Sequence, residues 1–153
     1  MNRNIPGMLL SPIGVVRNEA RTLGDRVWED VVSGLVIRDE FARGLKGIGS
    51  FSHLMVLYWM HLLEPGGRSV LEVHPRRKRE LPLVGVFATR SPVRPNPVGV
   101  TVVRLLKQEG NVLTVKGLDA VDGTPVIDIK PYLPAGDCVK DATVAPWVAL
   151  AQG

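Results

Sequence analysis

Between residues 85 and 99 the chain reads GVFATRSPVRPNPVG. Pro92, Pro95 and Pro97 crowd this stretch, and Ser91, Arg94 and Asn96 each precede a proline. A proline ring holds φ near about −65°, removes a backbone N–H and pushes the preceding residue out of the helical region. Neither a helix nor a central strand tolerates that spacing. The stretch is expected to be extended and stiff, linking two apolar runs, VGVFA at 84–88 and VGVTVV at 98–103. One reading is a rigid, solvated connection. The other starts from Arg90, Arg94 and Asn96, which a two-residue repeat would put on one face. Two guanidiniums on a stiff loop suit an anion, because little entropy is lost when the loop orders around it.

The rest of the sequence bounds what this loop serves. At 153 residues the chain is expected to be one domain, residues 1–153, with a real core. A formal charge of +4 is compatible with a nucleic-acid partner. Cys138 is the one cysteine, which excludes an internal disulfide and a cysteine-built zinc site and points to the cytoplasm. Prolines in and beside the short apolar run of residues 1–14 make a poor signal peptide. The longest stretch without Asp, Glu, Lys or Arg, residues 47–63, is too short and polar for a membrane span.

Strands are expected at 9–17 (bent or on an edge at Pro12), 34–38, 51–61, 82–89, 99–107, 111–118 and 124–130. Residues 18–30 are a polar loop holding Asp25 and Trp28, the latter a cap over the core edge or a platform for a flat ring. Residues 39–48 suit a helical turn with Asp39 as its N-cap. FSHLMVLYWMH at 51–61 is apolar on both faces and reads as the central strand. His53 and His61 would lie roughly 26 Å apart along it, too far to share a metal ion. His61, at the strand end, is the better functional candidate. Residues 64–81 form a loop carrying Arg76, Arg77, Lys78 and Arg79, four cations that cannot be buried unpaired. They form either a solvated tip or a phosphate-contacting loop.

Glu109-Gly110-Asn111 and Asp122-Gly123 are turn signals. Along 124–130, Pro125, Ile127 and Ile129 alternate with Val126, Asp128 and Lys130, so Asp128 and Lys130 are expected to pair. Residues 142–152 suit a short helix around Trp147, or a tail packed on a partner chain. The pattern predicts a mostly β chain: a single small β barrel of about seven strands with short helices and a long basic loop. No glycine-rich nucleotide fingerprint occurs.

The proline stretch resembles the signature of the TsaA-like family, whose characterised members are the TrmO tRNA methyltransferases. IGVVR at 13–17, GSFSHL at 49–54 and LDAVDGTPVIDIKPY at 118–132 resemble further family stretches in the same order. The likeness runs from about residue 13 to 133. It implies a β barrel working as a homodimer, S-adenosylmethionine as methyl donor without a metal, and N6-methylation of threonylcarbamoyladenosine beside the anticodon of tRNA. Enterobacterial members carry an added C-terminal domain, expected to be lacking here, which bears on tRNA selection more than on donor binding. The 18–30 loop departs from the P-R-Q-P-type stretch of that branch, and its donor contacts fall on Arg26, Val27 and Trp28.

Methyl transfer needs donor and nucleophile held in line. Arg90 is the candidate for the donor carboxylate and Asp119 for a ribose hydroxyl or adenine amino group. Backbone groups at Lys116, Gly117 and Leu118 are candidates to read the adenine edge, with His61, Leu62 and Val100 as walls. Asp128, Asp122 and His61 are the candidate bases. Arg94 or Lys130 would meet the threonyl carboxylate, and Asn96 would orient the acceptor amide. Turn chemistry would account equally for Asp119 and Asp122, and an ion pair for Asp128. A basic barrel that binds RNA without catalysis is the main alternative. A metal-dependent hydrolase fits poorly, since the histidines lack ligand spacing.

Overall fold

The structure is a computed structural model that describes residues 6–24 and 26–151. Residues 1–5, Asp25 of the polar loop and Gln152 of the expected terminal helix lie outside the described residues. Strands β1 (Gly14–Arg17), β2 (Val32–Ile37), β3 (His53–Trp59), β4 (Glu72–Val73), β5 (Val84–Gly85), β6 (Val98–Glu109), β7 (Val112–Lys116) and β8 (Pro125–Pro131) are followed by short helices α1 (Pro134–Asp137) and α2 (Trp147–Ala151). Six strands close an antiparallel barrel in the order β1-β2-β7-β6-β3-β8, while β4 and β5 pair separately. The barrel class matches the sequence reading, with six barrel strands where about seven strands were expected.

Period-two alternation builds the core. Leu54, Val56 and Tyr58 of β3, Val103 of β6, Leu113 and Val115 of β7, and Leu35 and Ile37 of β2 point inward and are buried. Each such side chain contributes about 1.5–3 kcal/mol by leaving water. β3 lies between β6 and β8, as its apolar character on both faces requires, and Met55, Leu57 and Trp59 are half-buried on its other side. The β6–β7 turn is closed at Gly110, whose φ of 58° suits glycine.

Several elements differ from expectation for identifiable reasons. The first strand begins at Gly14, not residue 9; Leu9 and Leu10 are exposed ahead of Pro12. The expected strand at 82–89 shortens to Val84–Gly85, then becomes a 3-10 turn, Val86–Ala88. Side chains drive that turn: the Val86 carbonyl accepts from the Thr89 hydroxyl at 2.8 Å and from Arg94 Nη2 at 3.0 Å. Asp39 opens a 3-10 helix, Asp39–Leu45, but Arg38 takes the N-cap position; Asp39 Oδ1 instead accepts from Asn111 Nδ2 at 3.0 Å. The 64–81 loop contains β4. Among the described residues the terminal helix begins at Trp147, not residue 142.

In β8 the strict alternation fails. Leu57 faces Asp128, yet Tyr58 faces Val126, so Ile127 is an extra residue in a β-bulge. The bulge lets Val126 and Ile129 both pack on the core while Asp128 and Lys130 face outward as an ion pair of 2.8 Å.

Candidate functional site

A cavity of about 860 Å³ opens where β3 ends and β6 begins. Its walls come from six separate stretches: Leu23 and Trp28 of the polar loop, the end of β3 with residues 60–64 and Gly67 after it, Arg77 of the basic loop, Arg90 and residues 92–94 of the proline stretch, residues 98–102 of β6, and Asp119 with its neighbours before β8. A volume of this order suits a nucleoside-sized ligand.

Tyr58 is the inward residue of β3 nearest the opening, and Gly99 of β6 is its direct partner. A Cβ at Gly99 would collide with the Tyr58 ring, so glycine is what lets the ring lie across the strand. The Tyr58 hydroxyl donates to Asp119 Oδ1 at 2.7 Å, and the Thr101 hydroxyl donates to the same oxygen. Asp119 Oδ2 makes no hydrogen bond among the described residues, which leaves it for a ligand hydroxyl or amino group. Burial pushes the Tyr58 phenol well above its usual range, and the Asp119 carboxylate adds to this against the Thr101 hydrogen bond and the Arg90 charge. Tyr58 is therefore a neutral donor at working pH, not a base.

The proline stretch is rigid for a reason beyond its rings. Arg94 donates through Nε to the Ser91 carbonyl at 2.7 Å, and through Nη2 to those of Thr89 at 2.5 Å and Val86 at 3.0 Å. Arg68 Nε donates to the Pro95 carbonyl at 2.8 Å and its guanidinium lies 5.6 Å from the Trp59 ring centre. Arg90 stands on this clamped base and lines the cavity.

The structure brings Trp28, His61, Leu62, Arg77, Arg90, Arg94, Val100 and Asp119 to the cavity wall, though Arg94 is occupied within its own loop. Other candidates lie elsewhere. Arg26 stacks over Trp28 at 5.2 Å and borders a smaller hollow, and Val27 is exposed beside it. Lys116 pairs with Asp30 at 3.0 Å, the Gly117 N–H donates to the Val31 carbonyl at 3.0 Å, and Leu118 is fully buried. This strip joins β7 to the polar loop, so the Gly117 N–H is not free to read a base edge. Asp128 is outside the cavity with Lys130, and Asn96 is exposed beyond the cavity lining. Asp122 is held by Arg21, by Arg17 at 3.7 Å and by the Asn18 N–H at 3.1 Å. Asn18 Nδ2 also donates to the Ala120 carbonyl at 2.9 Å, which fixes the turn that carries Asp119. Arg76, Lys78 and Arg79 lie off the cavity wall. Among the described residues no group of three or more His, Cys, Asp or Glu is placed to hold a metal ion, and no helix is long and apolar enough to cross a membrane.

Residues 24–138 match the family model of the tRNA-methyltransferase O N-terminal domain. The chain belongs to that family. It is 48% identical over 137 residues to an S-adenosyl-L-methionine-binding protein of Archaeoglobus fulgidus, covering 87% of this chain and 95% of the relative. It is 42% identical over 108 residues to the tRNA (adenine(37)-N6)-methyltransferase of Escherichia coli, covering 68% of this chain and 46% of that one. A crystal structure of TrmO from Pseudomonas aeruginosa superposes with a TM-score of 0.73 at 32% identity, over 94% of this chain and 62% of the solved one. The chain thus spans less than two thirds of that structure's length. This TrmO-family barrel is a methyltransferase-family domain.

Tyr58, Gly99 and Thr101 were not legible as site residues from sequence alone. The signal available was a glycine and a threonine of equal parity in the valine-rich run VGVTVV, opposite a tyrosine on the inward face of its neighbour.

Proposed function

We propose that the chain methylates N6 of threonylcarbamoyladenosine next to the anticodon of tRNA, with S-adenosylmethionine as donor. The observation that carries this reading is the convergence of Arg90, Asp119, Trp28 and His61, from four distant stretches, on one cavity of a TrmO-family barrel. The donor's chemistry fits those groups. Its carboxylate suits the Arg90 fork, its ribose or amino donors suit Asp119 Oδ2, and its apolar parts suit Leu62 and Val100. When bound, it supplies an electrophilic methyl on a sulfonium: the S–C bond breaks with its electron pair left on sulfur, an N–C bond forms, and the N6 proton leaves.

Tyr58 and Thr101 keep Asp119 aimed at the cavity, and the clamped loop keeps Arg90 in reach, so both are preorganised before ligand arrives. Of the titratable groups considered as proton acceptors, His61 is the one on the cavity wall and takes that role here. Arg76, Lys78 and Arg79, off the cavity wall, supply phosphate contacts, whose affinity falls with salt. Val100, Val102 and Leu106 run exposed along β6 from the cavity wall outward and support a homodimer whose interface adjoins the donor site. A tRNA substrate assigns the protein to the cytoplasm.

Calorimetric titration with S-adenosylmethionine, followed by methyl transfer to tRNA with and without the threonylcarbamoyl group, tests the reading. Saturable binding near one site per chain and transfer only to the modified tRNA are expected. Absence of donor binding with and without tRNA would return the protein to a non-catalytic RNA binder.

A further inference from the structure

We infer that Arg77 recognises a carboxylate on the acceptor nucleoside, and so sets the requirement for the threonyl group. The inference rests on the methyl-transfer reading above and adds to it a specificity residue. Donor and acceptor each bring one carboxylate to the same cavity, and an anion shielded from water needs a partner of its own. The wall carries three guanidiniums, those of Arg77, Arg90 and Arg94. Arg94 is occupied by the Ser91, Thr89 and Val86 carbonyls. Lys130, the other sequence candidate, pairs with Asp128 on the outside of the barrel. Arg90 lies close enough to Tyr58, the hydrogen-bond partner of Asp119, for its charge to act on the phenol, which puts it on the donor side. That leaves Arg77, whose side chain makes no hydrogen bond or ion pair among the described residues. Glu64, also on the wall, would repel a carboxylate that had no cation of its own.

The backbone presents Arg77 deliberately. Arg76 and Arg77 have φ of 51° and 58°, consecutive left-handed residues that are not glycine. The turn is pinned on both sides: the Arg77 N–H donates to the His74 carbonyl at 3.0 Å, and Leu81 N–H to the Lys78 carbonyl at 3.0 Å. His74 Nδ1 closes it with the Leu81 carbonyl at 2.8 Å. This geometry turns Arg77 onto the cavity wall and leaves Arg76 and Arg79 off it. A guanidinium suits the task because its planar fork matches a carboxylate in two-pronged fashion, where lysine offers a point charge.

The test compares kcat/KM for two tRNA anticodon stem-loops. One carries N6-threonylcarbamoyladenosine; the other carries the same nucleoside with threoninol in place of threonine, so that a CH2OH replaces the carboxylate. The wild type is expected to prefer the carboxylate about 10- to 100-fold, the range of one charged hydrogen-bonded contact. Arg77→Gln should bring that ratio near 1 with donor affinity in calorimetry retained. Arg77→Gly should also lose the preference while raising thermal stability, since glycine accepts the positive φ freely. A ratio that survives in both variants overturns the inference, and equal slowing on both stem-loops would make Arg77 a phosphate contact. Failure of the wild type to methylate either stem-loop would overturn the methyl-transfer reading itself, and that result is seen before any variant is made.

Discussion

Arg90 and Arg94 stand four positions apart in one loop, and both line the cavity, yet their work differs. Arg94 spends its guanidinium on three carbonyls of its own loop, whereas Arg90 is set on the frame that Arg94 makes. Prolines explain the division. A loop rich in proline has carbonyls in excess of N–H groups, and a nearby guanidinium is the densest source of donors to restore the balance. Breaking either one should therefore have opposite signatures. Arg94→Ala is expected to cost about 3 kcal/mol of stability in denaturant unfolding, since it strands several partly buried acceptors at once. Arg94→Lys should recover little, because an ammonium cannot reproduce the fork. A stable Arg94→Ala variant with an intact loop would end the comparison.

Arg90→Ala should do the reverse. Its side chain is exposed and lines the cavity, so unfolding should shift by less than about 0.5 kcal/mol, as at ordinary surface sites. Donor affinity in calorimetry should fall about 10- to 100-fold. If donor affinity stays normal, Arg90 is not its carboxylate partner.

The barrel was legible because it depends on things a sequence displays: alternation in HLMVLYW, turn residues at Gly110 and Gly123, and prolines that forbid helix. What was not legible depends on what meets across strands. Nothing local separates Arg90 from Arg94, or an Asp119 aimed at the cavity from an Asp128 outside it. The bulge at Ile127 decides the latter, because one extra residue inverts the face of everything after it. Likewise the strip 116–118 reads as a strand end with free backbone groups, until the polar loop claims the Gly117 N–H. Strand 82–89 failed for the same reason in miniature, its Val86 carbonyl being drawn into a turn by Thr89 and Arg94.

A finer contrast separates the two hydroxyls on Asp119. Tyr58 is buried and Thr101 half-buried, yet both donate to the same oxygen. Tyr58→Phe and Thr101→Val should each weaken donor binding several-fold by freeing Asp119 to rotate. Each should cost only about 1 kcal/mol of stability, the net worth of one hydrogen bond. If neither variant changes donor affinity, Asp119 does not need to be aimed and its assignment to the donor weakens.

The smallest effect isolates Tyr58 by pH. Its phenol titrates above the usual range in the folded state, chiefly through burial. The unfolded phenol titrates near about 10. Below that value both states hold the proton and the contribution of neutral Tyr58 is complete. Above it the unfolded chain holds fewer protons than the folded one, so stability falls as pH rises towards the folded value. Tyr58→Phe has no such proton to lose. Every other titrating group is common to the two proteins and cancels in their difference. The stability advantage of the wild type over Tyr58→Phe should therefore be constant from neutral pH to about 10 and shrink beyond it. A difference that stays level through pH 11 would mean that the ring opens to water readily, and that Asp119 is held by Thr101 alone.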